Sequence, residues 1–80
     1  MLDLSMNKIS NLDFALELPL LKKLVLADNL IKQIHPFAFS KLSGLKDLDL
    51  SMNQLNVLSN VDRLTSLQSL NLRQNMIDHI

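Results

Sequence analysis

The sequence predicts an α/β solenoid: a stack of short parallel strands forming one concave sheet, with 3₁₀ turns and loops returning the chain along the convex side. Three observations lead there. Leucine fills 20 of the 80 positions while only three residues are aromatic, a bias that arises when one structural position is filled again and again. The hexapeptide LDLSMN occurs twice, at Leu2–Asn7 and at Leu48–Asn53. The skeleton L-x-L-x-x-N recurs at Leu24–Asn29 and Leu70–Asn75, so the asparagines fall at 7, 29, 53 and 75 with periods of 22, 24 and 22.

Each position of the repeat has a physical reading. A leucine stands three residues before each later copy (Leu21, Leu45, Leu67). Apolar residues follow each asparagine at +2 and +5, as Ile9 and Leu12, Ile31 and Ile34, Leu55 and Leu58, Ile77 and Ile80. The unit is therefore L-x-x-L-x-L-x-x-N-x-[LI]-x-x-[LI], in about four units at 1–20, 21–44, 45–66 and 67–80, the outer two incomplete. Side chains alternate faces along a strand, so the two leucines of L-x-L point inward and their neighbours outward. Strands are expected at Met1–Ser5, Lys23–Val25, Asp47–Asp49 and Ser69–Asn71. Parallel strands need a return path, supplied by Ile9–Leu21, Ile31–Leu45 and Leu55–Leu67. In the first and third of these, apolar residues recur every third position (Ala15, Leu18; Val61, Leu64), the spacing that eclipses in 3₁₀ turns. Pro19 and Pro36 fall where no strand needs an N–H.

The asparagine has a different task. Where the chain leaves the strand, backbone groups are buried between units, and an amide that both donates and accepts can satisfy them. Stacked, Asn7, Asn29, Asn53 and Asn75 form an internal ladder.

With these residues the chain resembles the leucine-rich-repeat family, whose repeat signature has this form, and the match runs over essentially the whole sequence. The stretch from Ile34 to Leu42, with Phe39 three before Leu42, is similar to the 24-residue class common in animal extracellular ectodomains. The other linkers are similar to the 22-residue class common in intracellular members. The mixture leaves the compartment open, with a weak lean to the extracellular space or cell surface and an intracellular setting as the alternative. The resemblance implies a segment of a longer receptor-like ectodomain or scaffold. Outer units lacking polar caps imply self-association of the isolated chain through open sheet edges.

Composition excludes most chemistry. Eight basic and eight acidic side chains give zero formal charge, so there is no electrostatic footprint for nucleic acid. Apolar runs a few residues long cannot span a membrane. Without cysteine there are no disulfides, thiolate metal sites or thiol nucleophiles. His35 and His79 lie two units apart, next to the apolar positions after the strand, and read as surface residues. Asp3 and Asp49 occupy equivalent outward positions two strands apart, about 10 Å, too far to hold one metal ion together. Lys23 lies diagonally between them, which suggests a cross-strand ion pair. The eight serines have no companion base in the repeat, and Gly44 alone makes no phosphate loop. No catalytic residue, cofactor or metal site is expected, and nothing favours a small-molecule ligand.

Binding is the remaining class, because a solenoid presents a shallow sheet face whose outward side chains the core leaves free to vary. Candidate contacts to a protein partner are Asp3 and Met6 in the first unit and Lys23, Val25 and Asp28 in the second. Asp47, Asp49 and Met52 follow in the third unit, Asn71 and Arg73 in the fourth. Met6, Val25, Ala27 and Met52 are expected to form an apolar strip among the charges. The alternative is that the repeats are a structural spacer holding binding sites elsewhere in a larger receptor or scaffold.

Overall fold

The computed structural model describes residues 1–12, 17–62 and 64–77; Ala15, Arg63, His79 and Ile80 lie outside them. Six strands form: β1 (Leu2–Asp3), β2 (Asn11–Leu12), β3 (Lys23–Val25), β4 (Gln33–Ile34), β5 (Asp47–Asp49) and β6 (Ser69–Asn71). β1, β3, β5 and β6 make one parallel sheet in that order. Their register places Leu2, Leu24, Leu48 and Leu70 in one row and Asp3, Val25, Asp49 and Asn71 in the next. The strands stack as the four sequence repeats predict, in a parallel solenoid sheet. β2 and β4 form a second, two-stranded parallel pair at the +4 and +5 positions after the asparagine, which sequence periodicity alone did not separate from loop.

The inward leucines make the core. Leu24, Leu26, Leu48 and Leu50 are at most 2% exposed, and Leu12, Ile31, Ile34 and Leu55 close the core behind them. The return segment of the second unit adds Phe39, Leu42 and Leu45, all buried. Its i→i+3 hydrogen bonds, such as Leu42 N to Phe39 O and Leu45 N to Leu42 O, give the tight three-residue turns expected of the convex side. Not all convex apolar residues go inward: Leu18 and Leu20 are exposed. Gly44 sits where two return segments touch, and a Cβ there would lie 2.8 Å from the Pro19 carbonyl oxygen.

The strands stop early because the chain bends just before each asparagine. Met6, Asp28, Met52 and Gln74 have φ between 54° and 57°, in the left-handed region that costs a non-glycine residue about 1–2 kcal/mol. Alternate ladder bonds survive the bend, as Leu26 N to Asp49 O and Asp28 N to Ser51 O, at 2.8 and 3.0 Å. The carbonyls between them are met by asparagine. Asn53 Nδ2 donates to Leu26 O of the preceding unit at 2.9 Å and to Leu50 O of its own at 3.0 Å, while its Oδ1 accepts from Ile31 N at 3.0 Å. Asn29 repeats the pattern with Leu4 O, Leu26 O and Ile9 N, and Asn75 with Leu50 O, Leu72 O and Leu55 N. Asn7 differs: it is exposed and donates to Leu4 O and Ser5 O of its own unit.

The four asparagines should therefore be unequal. Asn29→Leu and Asn53→Ala strip buried groups of their partners and should each cost about 1–3 kcal/mol, whereas Asn7→Ala should cost about 0.5 kcal/mol or less. Urea unfolding of the three variants checks the order; equal losses would contradict the cross-unit role. Gly44→Ala should destabilise by about 1–3 kcal/mol, because the obstructing atom is backbone.

Candidate functional site

The outward face of the four-stranded sheet is built in rows. Lys23, Asp47 and Ser69 are in register on β3, β5 and β6, with Lys23 and Ser69 exposed and Asp47 half-buried. The next row runs Asp3, Val25, Asp49, Asn71. A shallow groove lined by Lys23, Asp47, Asp49, Ser69 and Asn71 crosses these strands. A second, lined by Ser51, Met52, Asn71, Arg73 and Gln74, continues it toward the bend.

One expectation fails here. Ala27 is 8% exposed and Ser51 7%, so the residue after the second leucine is covered in the middle units, and Val25 is half-buried. The apolar strip of Met6, Val25, Ala27 and Met52 is therefore not continuous. The left-handed bend follows that covered residue and swings Met6, Asp28 and Met52, all exposed, onto the rim where strands end. Strand alternation, applied past the second leucine, could not show this.

The middle of the sheet holds a second surprise. Asp49 Oδ1 accepts from Ser51 N at 2.9 Å, Asp3 Oδ1 from Ser5 N at 2.9 Å and Asn71 Oδ1 from Arg73 N at 3.0 Å. In the third and fourth units these are the backbone N–H groups that the broken ladder leaves over, while Ser5 N lies on the open side of the edge strand β1. Val25, in the same row, offers no such acceptor. The two aspartates thus serve their own bends. Asp3 is held below the ordinary carboxyl value of 3.8, first by the side chain of Ser5, then by its backbone N–H, and last by the charge of Lys23. The signal available in sequence was the spacing D-x-S or N-x-R, an Asx pattern.

His35 is half-buried; its Nδ1 accepts from Phe37 N at 3.4 Å and its ring lies 4.6 Å from the Phe37 ring. On the return side Asn60, at φ 60°, donates from Nδ2 to Ile34 O at 2.6 Å, a unit-to-unit link that consensus spacing did not point to. Among the described residues no three His, Asp or Glu side chains gather around a metal position. No helix there is long and apolar enough to cross a membrane.

Comparison with known proteins agrees with this geometry. Residues 19–77 match the family model described as leucine rich repeat. Over 80 residues the chain is 41% identical to an uncharacterised leucine-rich repeat-containing protein of Schizosaccharomyces pombe. That alignment takes in 99% of this chain and 13% of the yeast protein's length. No solved structure matches. The chain belongs to the leucine-rich-repeat family, whose repeat domains commonly serve as protein-interaction modules.

Two outcomes follow from the aspartate bonds. Asp49→Ala should cost about 1 kcal/mol and Asp49→Asn clearly less, since Asn71 does the same task as an amide. Asp3 has a depressed folded-state value, so its contribution is present above the unfolded value and lost as pH falls through the folded one. Asp3→Asn, which keeps the acceptor but cannot titrate, should flatten the loss of stability as pH falls below the ordinary carboxyl range. Urea midpoints against pH measure this; parallel curves for the two proteins would overturn it.

Proposed function

We propose that these repeats are a protein-binding module that recognises a protein partner through the concave face of the sheet. The observation that carries this reading is the pair of shallow grooves on the outward face, one across β3, β5 and β6 and one beside it at the bends, which meet at Asn71 and are walled mostly by outward side chains such as Lys23, Asp47, Met52 and Arg73. Neighbouring outward side chains on parallel strands stand about 5 Å apart, so one partner segment can desolvate several at once. Lys23 and Arg73 supply cationic donors, Asp47 a carboxylate, and Met52 an adaptable apolar contact. The energetic centre lies along Val25, Asp49, Met52 and Arg73, with Asp3, Met6, Asp28 and Asn71 at its margins.

The alternative is a structural spacer within a larger receptor or scaffold. In its favour, Asp3, Asp49 and Asn71 already commit an oxygen each to their own backbone. Substitution in the full-length protein separates the two. Met52→Ala or Arg73→Ala should weaken a partner by about 1–2 kcal/mol, while Glu17→Ala and Lys41→Ala on the convex side should change little. Quantitative co-purification of both sets decides between them: retained partners in every concave variant leave the spacer, and losses confined to the convex set reverse the assignment.

A further inference from the structure

The rim along the bends carries an apolar line that the concave rows do not explain. Beside each asparagine one neighbour is large and apolar and the other polar: Met6 with Lys8, Leu30 with Asp28, Met52 with Gln54, Met76 with Gln74. Met6, Leu30, Met52 and Met76 are 77%, 44%, 45% and 63% exposed, and three of the chain's four methionines are among them. Backbone bonds lock both neighbours in step from unit to unit: Met6 N to Ala27 O, Asp28 N to Ser51 O and Met52 N to Arg73 O on one side. Leu30 N to Ile9 O, Gln54 N to Ile31 O and Met76 N to Leu55 O do so on the other. The result is one apolar side chain per unit, stepping from side to side along the rim. Met52 also walls the concave groove, which makes rim and groove one continuous surface.

We propose that this rim takes an amphipathic α-helix of the protein partner, lying across the strands with one apolar side chain per turn against Met6, Leu30, Met52 and Met76. The inference rests on the reading of the repeats as a protein-binding module and names the form of the partner. Spacing selects the helix. Units repeat at about 4.8 Å and same-face residues of an extended segment at about 6.8 Å, whereas a helical turn rises about 5.4 Å. Across the three intervals between four units, a helix drifts out of step by about 2 Å and an extended segment by about 6 Å. Apolar residues at i, i+3 or i+4, i+7 and i+11 therefore stay opposite the four rim side chains. The stagger of i+3 and i+4 follows the side-to-side stepping, and the thioethers, flexible and polarisable, adapt to the remainder.

Photocrosslinking of the full-length protein in its own cells tests this. Benzoylphenylalanine replaces Leu30 or Met76 on the rim, and separately Lys23 or Ser69 on the concave face. The expected result is crosslinking from both surfaces to one protein, with the rim crosslinks mapping to residues three or four apart in a helical segment. In parallel, the combined Leu30→Gln and Met76→Gln variant, whose altered residues are solvent-exposed and lie outside the concave set, should lower the Lys23 crosslink at least tenfold with an unchanged unfolding midpoint. Concave crosslinks without rim crosslinks, or a Lys23 crosslink that the polar variant leaves intact, overturn the rim proposal and leave the concave reading standing. Rim crosslinks to a second copy of this chain, to lipid or to residues two apart in an extended segment overturn the helix. Absence of protein crosslinks from both surfaces overturns the binding module itself.

Discussion

Each buried asparagine of the repeat mends the same break. A parallel ladder needs every second carbonyl to meet an N–H on the next strand, but the left-handed bend carries that N–H away after three residues. Leu26 O would have met Ser51 N; it meets Asn53 Nδ2 instead, at 2.9 Å, while Ser51 N turns to Asp49 Oδ1. A single amide then joins two units through three groups, donating to a carbonyl on each and accepting from Ile31 N. Unpaired, these buried groups would cost about 1–3 kcal/mol apiece, comparable with the strain of the bend itself. The bend and the buried asparagine therefore act as one device: the bend frees the groups that the asparagine pairs.

Locked units fix the spacing of everything else. Leucines of successive strands come into contact row by row, and the two middle units reach complete burial at Leu24, Leu26 and Leu50. Leu2, Leu4, Leu70 and Leu72, with a neighbouring strand on one side, are half-buried. Burial here is a property of stacking more than of any unit alone, as expected of a quasi-one-dimensional fold. The return segments tolerate different lengths, 22 or 24 residues per unit, because their three-residue turns need only deliver the chain to the next strand. Gly44 marks a close passage between two of them, against the Pro19 carbonyl.

The inward half of this architecture was legible in sequence because it repeats. Period and alternation located β3, β5 and β6 at Lys23–Val25, Asp47–Asp49 and Ser69–Asn71. β1, the edge strand, is Leu2–Asp3 and shorter than the expected Met1–Ser5, although Leu4 N and Met6 N still bond across to Val25 O and Ala27 O. What sequence did not reveal was the bend. Met and Gln carry no preference for positive φ, so nothing at Met6, Met52 or Gln74 advertises it, and alternation carried past the second leucine put Ala27 and Ser51 outside when they are covered. The Asx bonds of Asp3, Asp49 and Asn71 were hidden for another reason: an outward aspartate on a strand reads equally well as a contact or an ion pair, and only the freed N–H two residues on distinguishes them.

That distinction bears on how the surface divides its work. A side chain that repairs the backbone is fixed in place by its own unit, so the central row can shape a partner site but is poorly able to adapt to it. Lys23 and Asp47, one row toward the strand starts, carry charge on that same face, and Ser69 a hydroxyl in register with them. At the other end the bend exposes residues that no core position constrains. Stability therefore rests most directly on the leucines, asparagines and Asx residues. In the proposed reading, the side chains free to adapt to a partner lie at the two margins of the sheet, the charged row at the strand starts and the rim at their ends, on either side of the fixed Asp49. A partner long enough to touch both margins gains specificity from the first and apolar burial from the second, with the rigid central row setting the distance between them.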